Sequence, residues 1–146
     1  MILEAMINEV SGPINSAAVR EKILELEGHL AKFPQVDLPV THFNSGGLYA
    51  RLIVIPKDIL LTGAIYKDAH FDVMISGDIT VSSDEGKKRL TGFNVMESKA
   101  GKKRAGYAHE DTVWMTFHLC EVMPEDDYVQ YLTVDKFEEL EFGGDE

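Results

Sequence analysis

The stretch LLTGAIYKDAHFDVMISGDITV, residues 60–81, decides the fold class. Runs of β-branched and apolar residues recur here every few positions, and Gly63 and Gly77 interrupt them. That spacing predicts short strands over 59–65, 70–76 and 78–82, with no helical period between them. Tyr66 and His70 are four apart, so they share a face if the chain between them stays extended. Lys67-Asp68 would equally serve as a turn. Asp72 shares the parity of His70 and is the nearest source of a third polar ligand.

Reading outward, further strands are predicted over 48–55, 89–93, 112–122 and 128–134. A turn is predicted at 44–47, a polar turn at 83–88 and a glycine- and lysine-rich loop over 98–106. Residues 1–10 alternate loosely and predict a short edge strand ended by Ser11-Gly12-Pro13. Val19, Ile23, Leu26 and Leu30 recur at helical steps, so an amphipathic helix is predicted over 17–31 with Ser16 as its N-cap. Pro34 and Pro39 hold the chain extended after it. The residues from 135 begin like a short helix and end as an acidic fringe. The chain is therefore mostly β, an antiparallel sandwich or barrel with an N-terminal amphipathic helix and a short C-terminal helix. One domain spans 1–146, with the helical segment at about 14–33, the barrel at about 40–134 and the tail at 135–146.

The chain has 146 residues and a net charge of −11, which argues against general nucleic-acid binding. No apolar run reaches the roughly 20 residues of a membrane span, and the first ten residues lack a basic leader region. These features, with Cys120 as the only cysteine, predict a cytoplasmic protein with no intrachain disulfide. Seven of the 14 lysines and arginines fall between positions 87 and 104, opposed there only by Glu97. This cationic segment is either solvated or a contact for an anion.

Along 112–120 the two strand faces differ in kind. Thr112, Trp114, Thr116, His118 and Cys120 mix an aromatic, hydroxyls and an imidazole, as the lining of a polar cavity would. Val113, Met115, Phe117 and Leu119 are wholly apolar and predict a core between sheets. Upstream, Tyr49, Arg51 and Ile53 oppose Ala50, Leu52 and Val54. Arg51 is either an outward, solvated residue or a fork for a carboxylate or phosphate. The candidate ligand-binding set is Arg51, Tyr66, His70, Trp114 and His118, joined by Lys103 and Arg104 from the basic loop. His42 is expected at an edge, His109 solvated in a loop, and His29 on the helix. No nucleophilic triad is arguable, and GKKRAG precedes a strand, so it lacks the helix of a P-loop.

YARLIVIPKDILLTGAIYKDAHFDVMISGDITV (49–81) and KAGKKRAGYAHEDTVWMTFH (99–118) resemble the cupin superfamily of double-stranded β-helix proteins. More narrowly, the chain is similar to small cupin-like proteins of bacteriophages. The resemblance implies metal ligands at the positions of Ala64, Tyr66 and His70, and a last histidine at His118. Ala64 and Tyr66 replace histidines and His70 replaces a carboxylate, so only His70 and His118 remain as ligands for a single divalent metal. The expectation is a homo-oligomeric protein of the host cytoplasm that holds a polar or anionic small molecule, such as a nucleotide-type metabolite or signal, and sequesters it. The alternatives are a metal-dependent isomerase or oxygenase and an oligomeric interaction module.

Overall fold

The computed structural model describes residues 2–140 except 9, 11, 15, 34 and 84. Its elements, in chain order, are α1 (Ile2–Ile7), α2 (Ala17–Leu30), β1 (Val40–Ser45), β2 (Leu48–Ile55), β3 (Leu60–Thr62), β4 (Ile65–Tyr66) and β5 (His70–Val81). They continue with β6 (Lys88–Thr91), β7 (Asn94–Ser98), β8 (Ala105–Leu119), α3 (Tyr128–Leu132) and β9 (Thr133–Val134).

Two long antiparallel strands, β5 and β8, form the spine. Each is too long for one outer neighbour and therefore takes two. β8 pairs with β2 along its C-terminal half and with β3 near its start, while β5 pairs with β7 and then β6. β1 completes one edge through a hairpin on β2, its tip at Gly46 and Gly47, both with positive φ. The result is a curved, seven-stranded antiparallel sheet in the order β1-β2-β8-β5-β6, with β3 and β7 branching from the spine. β4 and β9 form a separate two-residue ladder. The expected class, mostly antiparallel β with flanking helices, is the class observed.

Gly77 lets β5 run unbroken where two runs were expected. It has φ +120°, and a Cβ there would lie 2.6 Å from Thr112 Cα and 2.7 Å from Asp111 O. The β5–β8 register shifts on both sides of it, between Met74 and Ile79. This bulge bends the strand instead of ending it. Thr112 Oγ1 accepts from the Asp78 amide beside it (3.2 Å).

Four other expectations are corrected. Residues 2–7 are helical and not an edge strand. Ile7 and Val10 instead join Val19, Ile23 and Leu26 of α2 in a cluster over Leu60, Ala105 and Tyr107. β8 begins at Ala105, so His109 lies in a strand and not in a loop. The small residues Ala105, Gly106 and Ala108 allow close approach to β5 and β3. Residues 128–132 are helical because Tyr128 and Leu132, four apart, seal Tyr49 and Cys120. The apolar face of β8 points away from the core. Val113, Met115 and Phe117 are half-buried and Leu119 is 88% exposed, since no second layer covers them. α2 appears as expected, capped by Ser16, whose Oγ accepts from Val19 N (3.2 Å). The C-terminal segment makes a single 3-10 turn at Phe137–Glu139, and residues 141–146 of the expected acidic fringe lie outside the described residues. Among the described residues no helix is long and apolar enough to cross a membrane.

Candidate functional site

Strand parity and register bring the site together. On the concave face, Tyr49 pairs with His118 and Arg51 with Thr116, which in turn pairs with Asp72; Ile53 pairs with Trp114, and Trp114 with Met74. His70 falls beside His118 because Phe71 pairs with Phe117 on the opposite face. Of these residues Arg51, Ile53, His70, Asp72, Trp114 and Thr116 line a cavity of about 400 Å3, whereas Tyr49, Met74 and His118 lie outside its lining. Arg51, Tyr66, His70, Asp72, Thr116 and Arg104, with Ser98 and Lys102, make most of its polar part. Leu38, Val40, Ile53, Ile55, Leu61 and Trp114 make much of its apolar wall. Arg51 thus points inward, which settles the choice between a solvated and a cavity-facing arginine.

Asp72 organises the polar part. Trp114 Nε1 donates to Oδ1 (3.0 Å), while Arg104 Nε donates to Oδ2 (3.2 Å), as does the Ser98 hydroxyl. His70 Nε2 lies 3.5 Å from the same oxygen. Burial by itself would raise the Asp72 carboxyl. Hydrogen bonding to His70, the Arg104 guanidinium and Ser98 overcome that effect and hold it well below the usual carboxylate range. Arg104 also donates through Nη1 to Ser82 O (2.6 Å). Asp72 is therefore a fully engaged carboxylate.

Behind this wall runs a column of rings. Tyr128 stacks on Tyr49 with centroids 3.8 Å apart, and Tyr49 on His118 at 5.9 Å. His118 then faces both Tyr66 and His70 at 4.7 Å. His42, on the edge strand β1, closes the other end, with Nδ1 2.7 Å from Tyr49 Oη. Burial pushes the Tyr49 phenol up to about 12. Burial also raises the Tyr66 phenol, against the opposing pull of Arg51. His118 is held down to about 4 by burial, with His70 and Arg51 acting in the same direction, so its imidazole is neutral at neutral pH.

Three buried polar atoms near these groups make no hydrogen bond: Arg51 Nε, Thr116 Oγ1 and His118 Nε2. Thr116 is 7% exposed and His118 4%. Arg51 and Thr116 are cross-strand partners, so two of these atoms face the cavity side by side. Buried polar groups are rarely left unpaired, because each one costs about 1–3 kcal/mol.

The divalent metal implied by the resemblance does not fit these donors. Both Asp72 oxygens already accept hydrogen bonds, and Arg104 and Arg51 would repel a cation placed beside them. Among the described residues no three His, Cys, Asp or Glu side chains converge as metal ligands. His70 and His118 are brought together, but as stacked rings within the column.

The basic segment does not form a patch. Arg89 grips Asp78 at 2.8 Å and Lys88 lies 3.8 Å from Glu85. Lys103 pairs with Glu27 (2.7 Å) and donates to Gly63 O (2.7 Å), so it ties the 99–104 loop to α2 and lies outside the cavity. Lys102 lines the cavity in its place. His109 is bonded to Thr80 Oγ1 (2.7 Å). His29 sits on α2 with its ring edge-on to Phe33. Thr116 was expected on the cavity-lining face but not in the candidate ligand set, and Ser98 and Lys102 were not singled out. Thr116 had a signal, its parity with Trp114 and His118, whereas Ser98 and Lys102 had none.

No family model matches the chain, and no curated protein does either. Among solved structures the chain is similar to a cupin superfamily protein from Desulfitobacterium hafniense, at 13% identity and a TM-score of 0.49, over 61% of this chain and 83% of that one. It is also similar to the cupin-2 domain of an XRE family transcriptional regulator from Enterobacter cloacae. There the identity is 12% and the TM-score 0.47, over 55% of this chain and 93% of that one. A cupin 2 conserved barrel domain protein from Leptotrichia buccalis is similar at 14% identity and a TM-score of 0.49, over 62% and 44% of the two chains. The chemistry of the site is therefore read from its own residues.

Proposed function

We propose that this protein binds a small anionic molecule in the cavity of its curved sheet. One observation carries the reading: the guanidinium Nε of Arg51 and the hydroxyl of Thr116 are buried and adjacent in a space of about 400 Å3, neither makes a well-formed hydrogen bond, and the Tyr66 phenol lies close enough to act on both side chains. A ligand oxygen would satisfy both groups, and pockets of a few hundred Å3 with few polar groups are the usual form of a small-molecule site. Sequestration of such a molecule in an infected host's cytoplasm is the setting that the phage-type resemblance suggests. Thermal-shift screening with nucleotides, sugar phosphates and organic acids tests the binding reading. Stabilisation by at least one anion, weakened in Thr116→Val, is expected. A flat response across all anions, with the cavity confirmed empty by native mass spectrometry, overturns it.

Self-association is a second reading, supported by the outer face of the sheet. Phe43 and Phe71 are each 48% exposed and end one cross-strand row that runs Phe43, Ala50, Phe117, Phe71. Leu52, Met115, Val73 and Val95 form the next row. An exposed apolar patch of more than a few hundred Å2 marks a contact surface, and a second copy of the same face is the partner we propose.

A further inference from the structure

We infer that the occupant of the cavity is a monocarboxylate with an apolar body; the inference rests on the binding reading above and narrows it. The charge balance comes first. The one carboxylate in the lining, Asp72, is matched by Arg104, whose Nη1 is spent on Ser82 O. Among the described residues no carboxylate pairs with Arg51. The guanidinium is permanently charged, and Lys102, the further cation of the lining, already has a partner, so Arg51 is the cation left to answer a negative charge on the ligand. A dianionic phosphate would call for a second free cation, and both Arg104 and Lys102 are already engaged.

The geometry then selects the kind of anion. Arg51 and Thr116 face each other across β2 and β8 and present an N–H and an O–H side by side. A carboxylate offers two coplanar oxygens and accepts from both donors at once. The remainder of the ligand meets a different surface. Along the same strands the inward residues beyond Arg51 and Thr116 are Ile53, Ile55 and Trp114, and the facing wall adds Leu38, Val40 and Leu61. A sugar or a nucleobase would bury hydroxyls and ring nitrogens against these side chains without partners, which such a surface penalises. A hydrocarbon or aromatic body loses nothing there. At ~30 Å3 per water-sized group, the space holds roughly a dozen non-hydrogen atoms.

The test is calorimetric titration of the full chain with octanoate and hydrocinnamate, with their uncharged alcohols octanol and hydrocinnamyl alcohol, and with AMP and inorganic phosphate. The expected result is saturable binding of both acids, alcohols weaker by about 10- to 100-fold, and no binding of AMP or phosphate. In Arg51→Met the acids fall to the level of the alcohols while the alcohols are unchanged; in Arg51→Lys, charge without the fork, the acids bind at an intermediate level. Alcohol binding in Arg51→Met also shows that the variant keeps its cavity. If AMP or phosphate binds and the acids do not, the ligand class is overturned and the binding reading stands. If alcohols bind as tightly as acids, charge selection by Arg51 is overturned. If none of the probes binds and the wider anion screen is also flat, both readings fall.

Discussion

Trp114 and Asp72, 42 residues apart in sequence, are joined across β8 and β5 by a 3.0 Å hydrogen bond from the indole to the carboxylate. The bond fixes the Trp114 ring against the apolar wall and aims the other Asp72 oxygen at Arg104, Ser98 and His70. One carboxylate thereby positions both halves of the cavity.

Asp72→Asn is expected to destabilise the protein by about 3–5 kcal/mol, because it leaves the Arg104 charge buried without its partner. Chemical denaturation followed by tryptophan fluorescence measures this directly. The native emission of Trp114, the only tryptophan, shifts in the same variant. A change below about 1 kcal/mol, typical of exposed pairs, would show that the hub is solvated and not buried.

Gly77→Ala places a side chain against the backbone of Thr112 and Asp111 at a φ of +120°. Neither neighbour is a flexible side-chain end, so the spine itself must move. A loss of at least ~2 kcal/mol is expected, against the ~0.5–1 kcal/mol gain that Gly→Ala gives at an ordinary position. Gly28, on α2 with open space around it, is the matched control and is expected to gain stability on the same substitution.

Stability falls with acid in a window set by His118. Its imidazole lies near 4 in the folded protein and near 6.5 when exposed, so between these values the unfolded chain binds the extra proton. The contribution is complete above about pH 6.5 and is lost as pH drops towards 4, in total roughly 3 kcal/mol. Asp72, shifted down, acts only at lower pH, below the ordinary carboxylate value of 3.8. Melting temperatures at pH 7.5 and 5.0 are expected to differ in the native protein and to converge in His118→Gln. Equal pH dependence in both would remove His118 as the cause.

The outer sheet face is expected to hold two copies together. Sedimentation velocity is expected to show a dimer that Phe71→Glu or Phe117→Glu converts to monomer with the fold intact by circular dichroism. A stable pair needs about 800 Å2 per partner, and the phenylalanine row, the row from Leu52 to Val95 and Leu119 are the apolar centre of such a patch. A native monomer at concentrations of tens of micromolar would show that the face is merely solvated.

Periodicity made some of this legible and contacts decided the rest. α2 was readable because its apolar residues follow a single helical period, and β2 because of its β-branched and aromatic content. The inward set Thr112, Trp114, Thr116 and His118 was readable by parity. The orientation of the opposite set was not, because an apolar face means a covered face only where a second layer exists. β5 looked like two strands because Gly77 reads as punctuation until Thr112 and Asp111 are seen against it. α3 looked like a strand because Tyr128, Val129 and Tyr131 favour β locally, and only burial of Tyr128 and Leu132 on Tyr49 reverses that preference. Lys103 and Arg104 are neighbours with the same charge, yet one faces Glu27 and the other Asp72, a difference visible only in three dimensions.

The spine also governs the order in which the chain can fold. During synthesis the helical hydrogen bonds of α2 and the β1–β2 pairing are local and can form early, whereas α2 packs on Leu60, Ala105 and Tyr107, and β2 pairs with β8, only later. β5 gains its β6 and β7 neighbours soon after, but its register with β8 has to wait until residue 119 has emerged. The ring column closes later still, when Tyr128 arrives. Until then the apolar flank of β5 is exposed, and delay at this late, long-range pairing favours aggregation over completion.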